Sequence, residues 1–212
     1  VEGSGGLKGA TIKTVYSPTE AERTKLEAEG ATPLDLHELA PGQGQFFHDK
    51  ITEAKTSDKY GAAVFAYPAA DYDGMRTFLT DDGKAGFALK SDGDIVSAFK
   101  HADSKAEKLV SSILPLAIEQ GGQRADAFDT VLPFLYAKAG MRTVARIPWN
   151  EQYAPEGWDK KTFEKYNGGE PDVVFLVVDK NTPPYTPGTG KTVEDYDAGV
   201  AEQSKQLARK TD

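Results

Sequence analysis

The amino-acid sequence predicts a mixed α/β (α+β) protein: a central mixed sheet with flanking helices, an extra helical segment at the N-terminus and a helix at the C-terminus. Three observations predict it. Short apolar segments between residues 77 and 100 are divided by Asp81-Asp82-Gly83 and Ser91-Asp92-Gly93-Asp94; Asp-Gly between such segments marks hairpins, because Gly supplies positive φ. Helical and strand periods then alternate, and strand–helix–strand–helix–strand implies that part of the sheet is parallel. Helix-start signals stand near both ends, at Ser17-Pro18-Thr19-Glu20 and at Thr192 with Asp195.

Taken in order, Ser17 and Glu20 form a capping box with Pro18 in the first turn, so a helix is expected to about Glu29, closed by Gly30. A second helix, about Gln45 to Ser57, carries Phe46, Phe47, Ile51 and Ala54 on one stripe. Gly61 to Tyr67 reads as a buried strand and Tyr72-Asp73 as a short helix or turn. Thr77–Thr80, Ala85–Lys90 and Ile95–Lys100 make an antiparallel meander. Ala106–Gln120 is helical, with Pro115 as a kink or early break. A strand Ala125–Asp129, a helix from Thr130 closed by Gly140, and a strand Arg142–Trp149 follow. The loop Asn150–Gly169 carries Tyr153, Trp158 and Tyr166, expected exposed. Val173–Val178 is the most apolar strand, Pro183–Gly190 a linker, and Val193–Lys210 the last helix, capped by Thr192. The expected organisation is a helical extension packed on the core (1–60), a core domain (61–180), and a linker with C-terminal helix (181–212).

Composition narrows the function. The net charge of −8 argues against a general nucleic-acid binder. No apolar run approaches the roughly 20 residues of a membrane span. There is no cysteine, which excludes thiol catalysis and Cys-zinc sites, and the three histidines (His37, His48, His101) are too dispersed for a metal centre. The start, Val1 to Gly6, lacks a signal-peptide pattern and an initiator Met. It reads as a processed end, so the chain is expected to be a piece of a larger polypeptide.

Gly188-Thr189-Gly190-Lys191-Thr192 invites a phosphate-loop reading, but Tyr185 stands where the first Gly is needed and Pro183-Pro184 replaces the preceding strand. Asp92-Gly93-Asp94 lacks the rest of a calcium loop and reads as turn chemistry. Asp126 and Asp129 read as a solvated strand end and helix cap, or as site residues, since strand ends are where open sheets bind ligands.

The order of elements carries a resemblance. It rests on Gly86-Phe87-Ala88-Leu89, Gly93-Asp94-Ile95-Val96-Ser97-Ala98-Phe99, Ala127-Phe128-Asp129, the segment Leu132-Pro133-Phe134-Leu135-Tyr136-Ala137-Lys138-Ala139-Gly140-Met141, Pro148-Trp149-Asn150, Tyr153 to Trp158 and Pro171 to Phe175. Over roughly residues 61–179 the chain resembles the GNAT superfamily of acyl-CoA N-acyltransferases, in particular the divergent GNAT-like proteins of phages and prophages.

The resemblance implies a GNAT-like sheet, an acyl-CoA (acetyl-CoA) co-substrate and an amine acceptor, small molecule or protein. In the family, a [QR]-x-x-G-x-[GA] turn after the fourth strand holds the CoA pyrophosphate on backbone N–H groups. The corresponding positions are His101, Ser104 and Ala106, with His and Ser departing from the pattern; Lys105 and Lys108 supply charge. The backbone of the fourth strand, at Ala98 and Phe99, would polarise the thioester carbonyl. Tyr136 matches the family's general acid, its other reading being a core-facing helix tyrosine. Asp94, Asp126, Asp129 and His101 are candidates for the base, Asp129 being the one assigned. The helices between the first two strands of the family shrink here to about Pro68–Met75. The aromatics Trp149, Tyr153 and Trp158 would either rebuild that acceptor wall or pack their loop onto the body. The implied setting is the cytoplasm of a host cell, or a virion. The alternatives are a non-catalytic phage-encoded or virion-associated module of the same fold, and a toxin-like effector domain.

Overall fold

The computed structural model describes residues 1–209 and shows a mixed α+β fold with two sheets. The chain forms two compact units, Val1–Gly121 and Gly122–Asp212. The sequence reading divides it instead at 60/61 and 180/181. Among the described residues no helix is long and apolar enough to cross a membrane.

The first unit holds β1 (Ile12–Tyr16), α1 (Glu20–Ala28), β2 (Leu36–Leu39), α2 (Gly44–Ser57), α3 (Ala69–Tyr72), β3 (Arg76–Leu79), β4 (Ala85–Leu89), β5 (Ile95–Lys100) and α4 (Leu109–Glu119). Its sheet runs β1-β2-β3-β4-β5, every neighbour antiparallel. The meander β3-β4-β5 stands as expected, with Gly83 and Gly93 at positive φ in its turns. Segment 1–60, expected to be helical, also supplies two strands. Glu38, in the middle of β2, is 2% exposed, so a charge occupies a position where an apolar residue would have announced the strand. Arg76 pairs with it through Nε (3.0 Å) and Nη2 (2.8 Å), and the Tyr16 hydroxyl donates to it at 2.8 Å.

The cap of α1 lies two residues later than expected. Thr19 accepts from the Glu22 N–H and Glu22 accepts from the Thr19 N–H, both at 3.2 Å. Two boxes overlap in this sequence, and the one beyond Pro18 closes. Gly61 to Tyr67 is not a strand: Gly61–Ala63 makes one 3-10 turn and the rest is irregular. A Cβ on Gly61 would lie 1.9 Å from the Lys55 carbonyl oxygen, so the chain folds back tightly against the end of α2. That helix places Phe47 and Ile51 in a core with Leu7, Tyr72, Leu79, Ala88 and Phe99. The Phe78 and Phe87 rings, a cross-strand pair, stack at 4.7 Å on the other face.

The second unit holds β6 (Arg124–Phe128), α5 (Leu132–Lys138), β7 (Met141–Ile147), β8 (Val173–Val178), β9 (Lys191–Thr192) and α6 (Tyr196–Arg209). The expected end of the last helix, Lys210, lies outside the described residues. Sheet order is β6-β8-β7-β9. Part of this sheet is parallel, as expected, but at the short β7-β9 pairing rather than between β6 and β7, because β8 inserts between those two and is antiparallel to both. Because Thr192 pairs with Arg146 in that ladder, it does not cap α6; Asp195 does, accepting from the Ala198 N–H at 2.8 Å. The helix covers Phe175 and Val177 with Val200 and Leu207, and Gln203 donates to the Ala125 and Leu176 carbonyls. In the long loop, Trp158 stacks on Phe163 at 3.9 Å and lies 5.1 Å from Trp149, so these two aromatics pack their loop together while Tyr153 is exposed.

Candidate functional site

The strand β5 ends one edge of the first sheet. Its register against β4 slips: Gly86 faces Phe99 while Ala88 faces Val96, so Ser97 and Ala98 share Phe87 as partner. That is a β-bulge, which disrupts the ladder, bends the strand and is common beside active sites. Register also slips in β1 and β7, but Ser97 sits at φ 54°. The left-handed region costs an L-residue roughly 1–2 kcal/mol, so something must hold it. The Ser97 hydroxyl donates to the Phe65 carbonyl at 2.9 Å, which spends its one proton. The 2.7 Å bond between Ser97 and Tyr72 is therefore donated by the Tyr72 hydroxyl, which in turn accepts the Tyr67 N–H at 3.0 Å. Burial raises the Tyr72 phenol above its ordinary range.

Lys108, at φ 51°, is a second non-glycine residue in the left-handed region. Ser97 and Lys108 thus bracket the segment that contains Ala98, Phe99, His101, Ser104, Lys105 and Ala106. Strain of this kind gathers at functional sites.

The amides of the loop after β5 are largely engaged, within the loop and with neighbouring segments. The His101 N–H goes to the Lys84 carbonyl (2.7 Å), Ala102 to Ser57 Oγ (3.0 Å), Asp103 to His101 Nδ1 (2.9 Å) and Ser104 to the His101 carbonyl (3.0 Å). Ala106 N–H goes to Ser104 Oγ (3.3 Å) and Glu107 to Thr32 Oγ1 (2.9 Å). Lys100 and Lys108 donate their ammonium groups to the Ala106 and Glu29 carbonyls. The helix begins at Leu109, three residues beyond the expected Ala106, because Lys108 interrupts the backbone. Lys105 is exposed, Ala106 is buried, and the Phe99 ring belongs to the core, so only its backbone can serve a ligand.

Asp129 and Tyr136 lie in the second unit. Tyr136 is buried on α5, and burial, with the charge of Asp126, pushes its phenol up to about 12. Asp129 has both oxygens engaged: Oδ1 accepts from Tyr185 at 2.7 Å and Oδ2 from Arg146 at 3.1 Å. Arg146 also reaches Asp172 (2.9 Å), the Tyr185 hydroxyl (2.9 Å) and the Thr189 carbonyl (3.0 and 2.8 Å). A cavity of about 380 Å³ adjoins this hub, bordered by Asp129, Thr130, Phe134, Lys165, Tyr166 and Asp172. Sequence reasoning misses Arg146, Asp172 and Tyr185; the one local signal was an arginine in an apolar strand.

No family model matches the chain, and no curated protein matches it. Among solved structures it is similar to a GCN5-related N-acetyltransferase from Rhodopseudomonas palustris, also described as an aminotransferase, class-II, with 15% identity over 70% of this chain and 96% of that one, at a TM-score of 0.41.

Proposed function

We propose that the chain is a GNAT-fold N-acyltransferase, moving an acyl group, acetyl in the simplest case, from acyl-CoA to an amine. The observation that carries this reading is the bulge at Ser97 and Ala98. It lies on an edge strand, at the residues where the resemblance puts the thioester. An edge strand presents unpaired N–H and C=O groups, which suit the two amides of a pantetheine arm, and a bulge frees an N–H to polarise the carbonyl. The element order supports the same reading: meander, polar loop, helix, strand, short helix and two further strands.

In the reaction the amine nitrogen attacks the thioester carbonyl, the C–N bond forms and the C–S bond breaks. One proton leaves nitrogen for water and one reaches the departing sulfur. The acid role of Tyr136 rests on the resemblance alone; buried and pushed up to about 12, its phenol is a weaker acid toward a thiolate than an ordinary one. Asp129, tied by Arg146 and Tyr185, serves to hold structure rather than to take the amine proton. The phage setting rests on the resemblance and belongs to the proposal.

A second reading has its own observation. The amides of the loop at 101–107 are mostly spent inside the protein, which favours a non-catalytic module of the fold, phage-borne or effector-like, over a pyrophosphate cradle. Calorimetric titration with acetyl-CoA and with CoA, using Ser104→Glu as control, separates them. Saturable micromolar binding that the control loses supports the transferase. Absence of binding up to millimolar ligand supports the module.

A further inference from the structure

We propose that the Tyr72 and Ser97 hydroxyls form a clamp that sets the β5 bulge, making both positioning residues for the acyl carbonyl; this rests on the acyltransferase reading above. A left-handed bulge position ordinarily takes glycine, which adopts it without steric cost. Here it is serine, so the conformation is imposed by partners rather than by the residue itself.

Those partners are placed for the task. Tyr72 is 1% exposed at the end of α3, its ring held edge-on by Phe47 at 4.7 Å. From there its hydroxyl joins two otherwise separate pieces of chain, taking the Tyr67 N–H and giving its proton to Ser97. Ser97 passes its own proton to the Phe65 carbonyl. The chain of bonds therefore runs from the irregular segment at 65–67, through a buried tyrosine, to the bulge. Removing the Tyr72 oxygen strips the Tyr67 N–H and Ser97 Oγ of a partner at once. The bulge then loses its side-chain support, and the amide of Ala98 loses its fixed direction. Phe65, largely exposed and packed edge-on against Tyr67 at 4.7 Å, rides on the same segment, so the clamp also ties an exposed aromatic to the bulge.

The test uses the whole chain with Tyr72→Phe, Ser97→Ala and Ser97→Gly. Alanine removes only the hydroxyl, and glycine removes the whole side chain while keeping positive φ accessible, so it guards against simple misfolding; circular dichroism and thermal melting establish that each variant folds. Two readouts are taken. The amide–α-proton coupling at position 97 reports the bulge in Tyr72→Phe and Ser97→Ala, and the Ala98 amide shift reports it in Tyr72→Phe, where residue 97 is unchanged. Release of free thiol from acetyl-CoA, with water as acceptor and acetate as the other product, reports carbonyl polarisation against an assay background free of protein thiols, since the chain has no cysteine. The expected result is a shifted bulge signature in folded Tyr72→Phe, and thiol release reduced at least tenfold in folded Tyr72→Phe and Ser97→Gly, with KM for acetyl-CoA and affinity for CoA unchanged. Wild-type thiol release in both variants overturns the clamp and leaves the transferase reading standing. A wild-type protein that neither binds acetyl-CoA nor releases thiol overturns the transferase reading, and the proposed role of the clamp falls with it.

Discussion

Replacing Arg146 by methionine is expected to destabilise the second unit by about 2–4 kcal/mol, and the structure supplies the reasoning. Five hydrogen bonds account for all five guanidinium N–H groups: two to the Thr189 carbonyl, one each to Asp129, Asp172 and Tyr185. Breaking a buried ion pair by removing one partner costs about 3–5 kcal/mol. The Arg146 side chain is 8% exposed, but Asp129 and Asp172 are 21% and 28% exposed, so water recovers part of the loss and the lower figure applies. Lysine keeps the charge but offers at most three donors, so Arg146→Lys should fall between, at about 1–3 kcal/mol. Urea denaturation followed by tryptophan emission reads this unit alone, because both tryptophans, Trp149 and Trp158, belong to it. An Arg146→Met protein within about 0.5 kcal/mol of wild type, the range of an ordinary surface substitution, would refute the argument.

Gly199→Ala sets helix propensity against packing: alanine gains about 1 kcal/mol in a helix, but its Cβ would lie 2.4 Å from the Phe175 ring, so net destabilisation is expected, read by the same denaturation curve. Glu38 links the first unit to pH. Burial pushes its carboxyl up, yet bonds from Arg76 and Tyr16 and the charges of Arg76 and Lys13 outweigh this and hold it below its ordinary value. Its contribution is therefore full above the unfolded carboxylate range and lost as pH falls through the lowered folded value; Glu38→Gln should flatten the acid limb of a melting-temperature profile, and an unchanged limb would contradict the assignment. Tyr136, raised to about 12, should add no phenolate absorbance below pH 11. A Tyr136→Phe difference titration that loses absorbance there would show the phenol to be solvated.

What the sequence discloses follows from where the determining contacts lie. The hairpin turns are local chemistry, and Asp-Gly marks them; β8 shows itself as six consecutive apolar residues. The strands β1 and β2 are hidden because α1 separates them and Glu38 breaks the apolar pattern; Arg76, 38 residues on, makes that charge tolerable together with Tyr16 and Lys13. The parallel pairing implied by the alternating elements falls at β7-β9 and not between β6 and β7, because β8, later in the chain, takes the place between those two. The site divides in the same way. The segment Ala98–Lys108 is singled out by the resemblance to the family's turn. The bulge is not, since Ser97 lacks the glycine that announces such a turn and its support comes from Tyr72, 25 residues earlier. Arg146 was hidden likewise, because Tyr185 and Thr189 sit in what reads as a linker.

The central claim is that the bulged edge of β5 receives the thioester of an acyl-CoA. It is tested most directly by titrating isotopically labelled protein with acetyl-CoA and, separately, with CoA while following backbone amides by NMR. The account predicts saturable shifts at Ala98 and Phe99 that acetyl-CoA produces and CoA produces only weakly. Shifts absent from β5 at saturating acetyl-CoA, or identical with the two ligands, would contradict it.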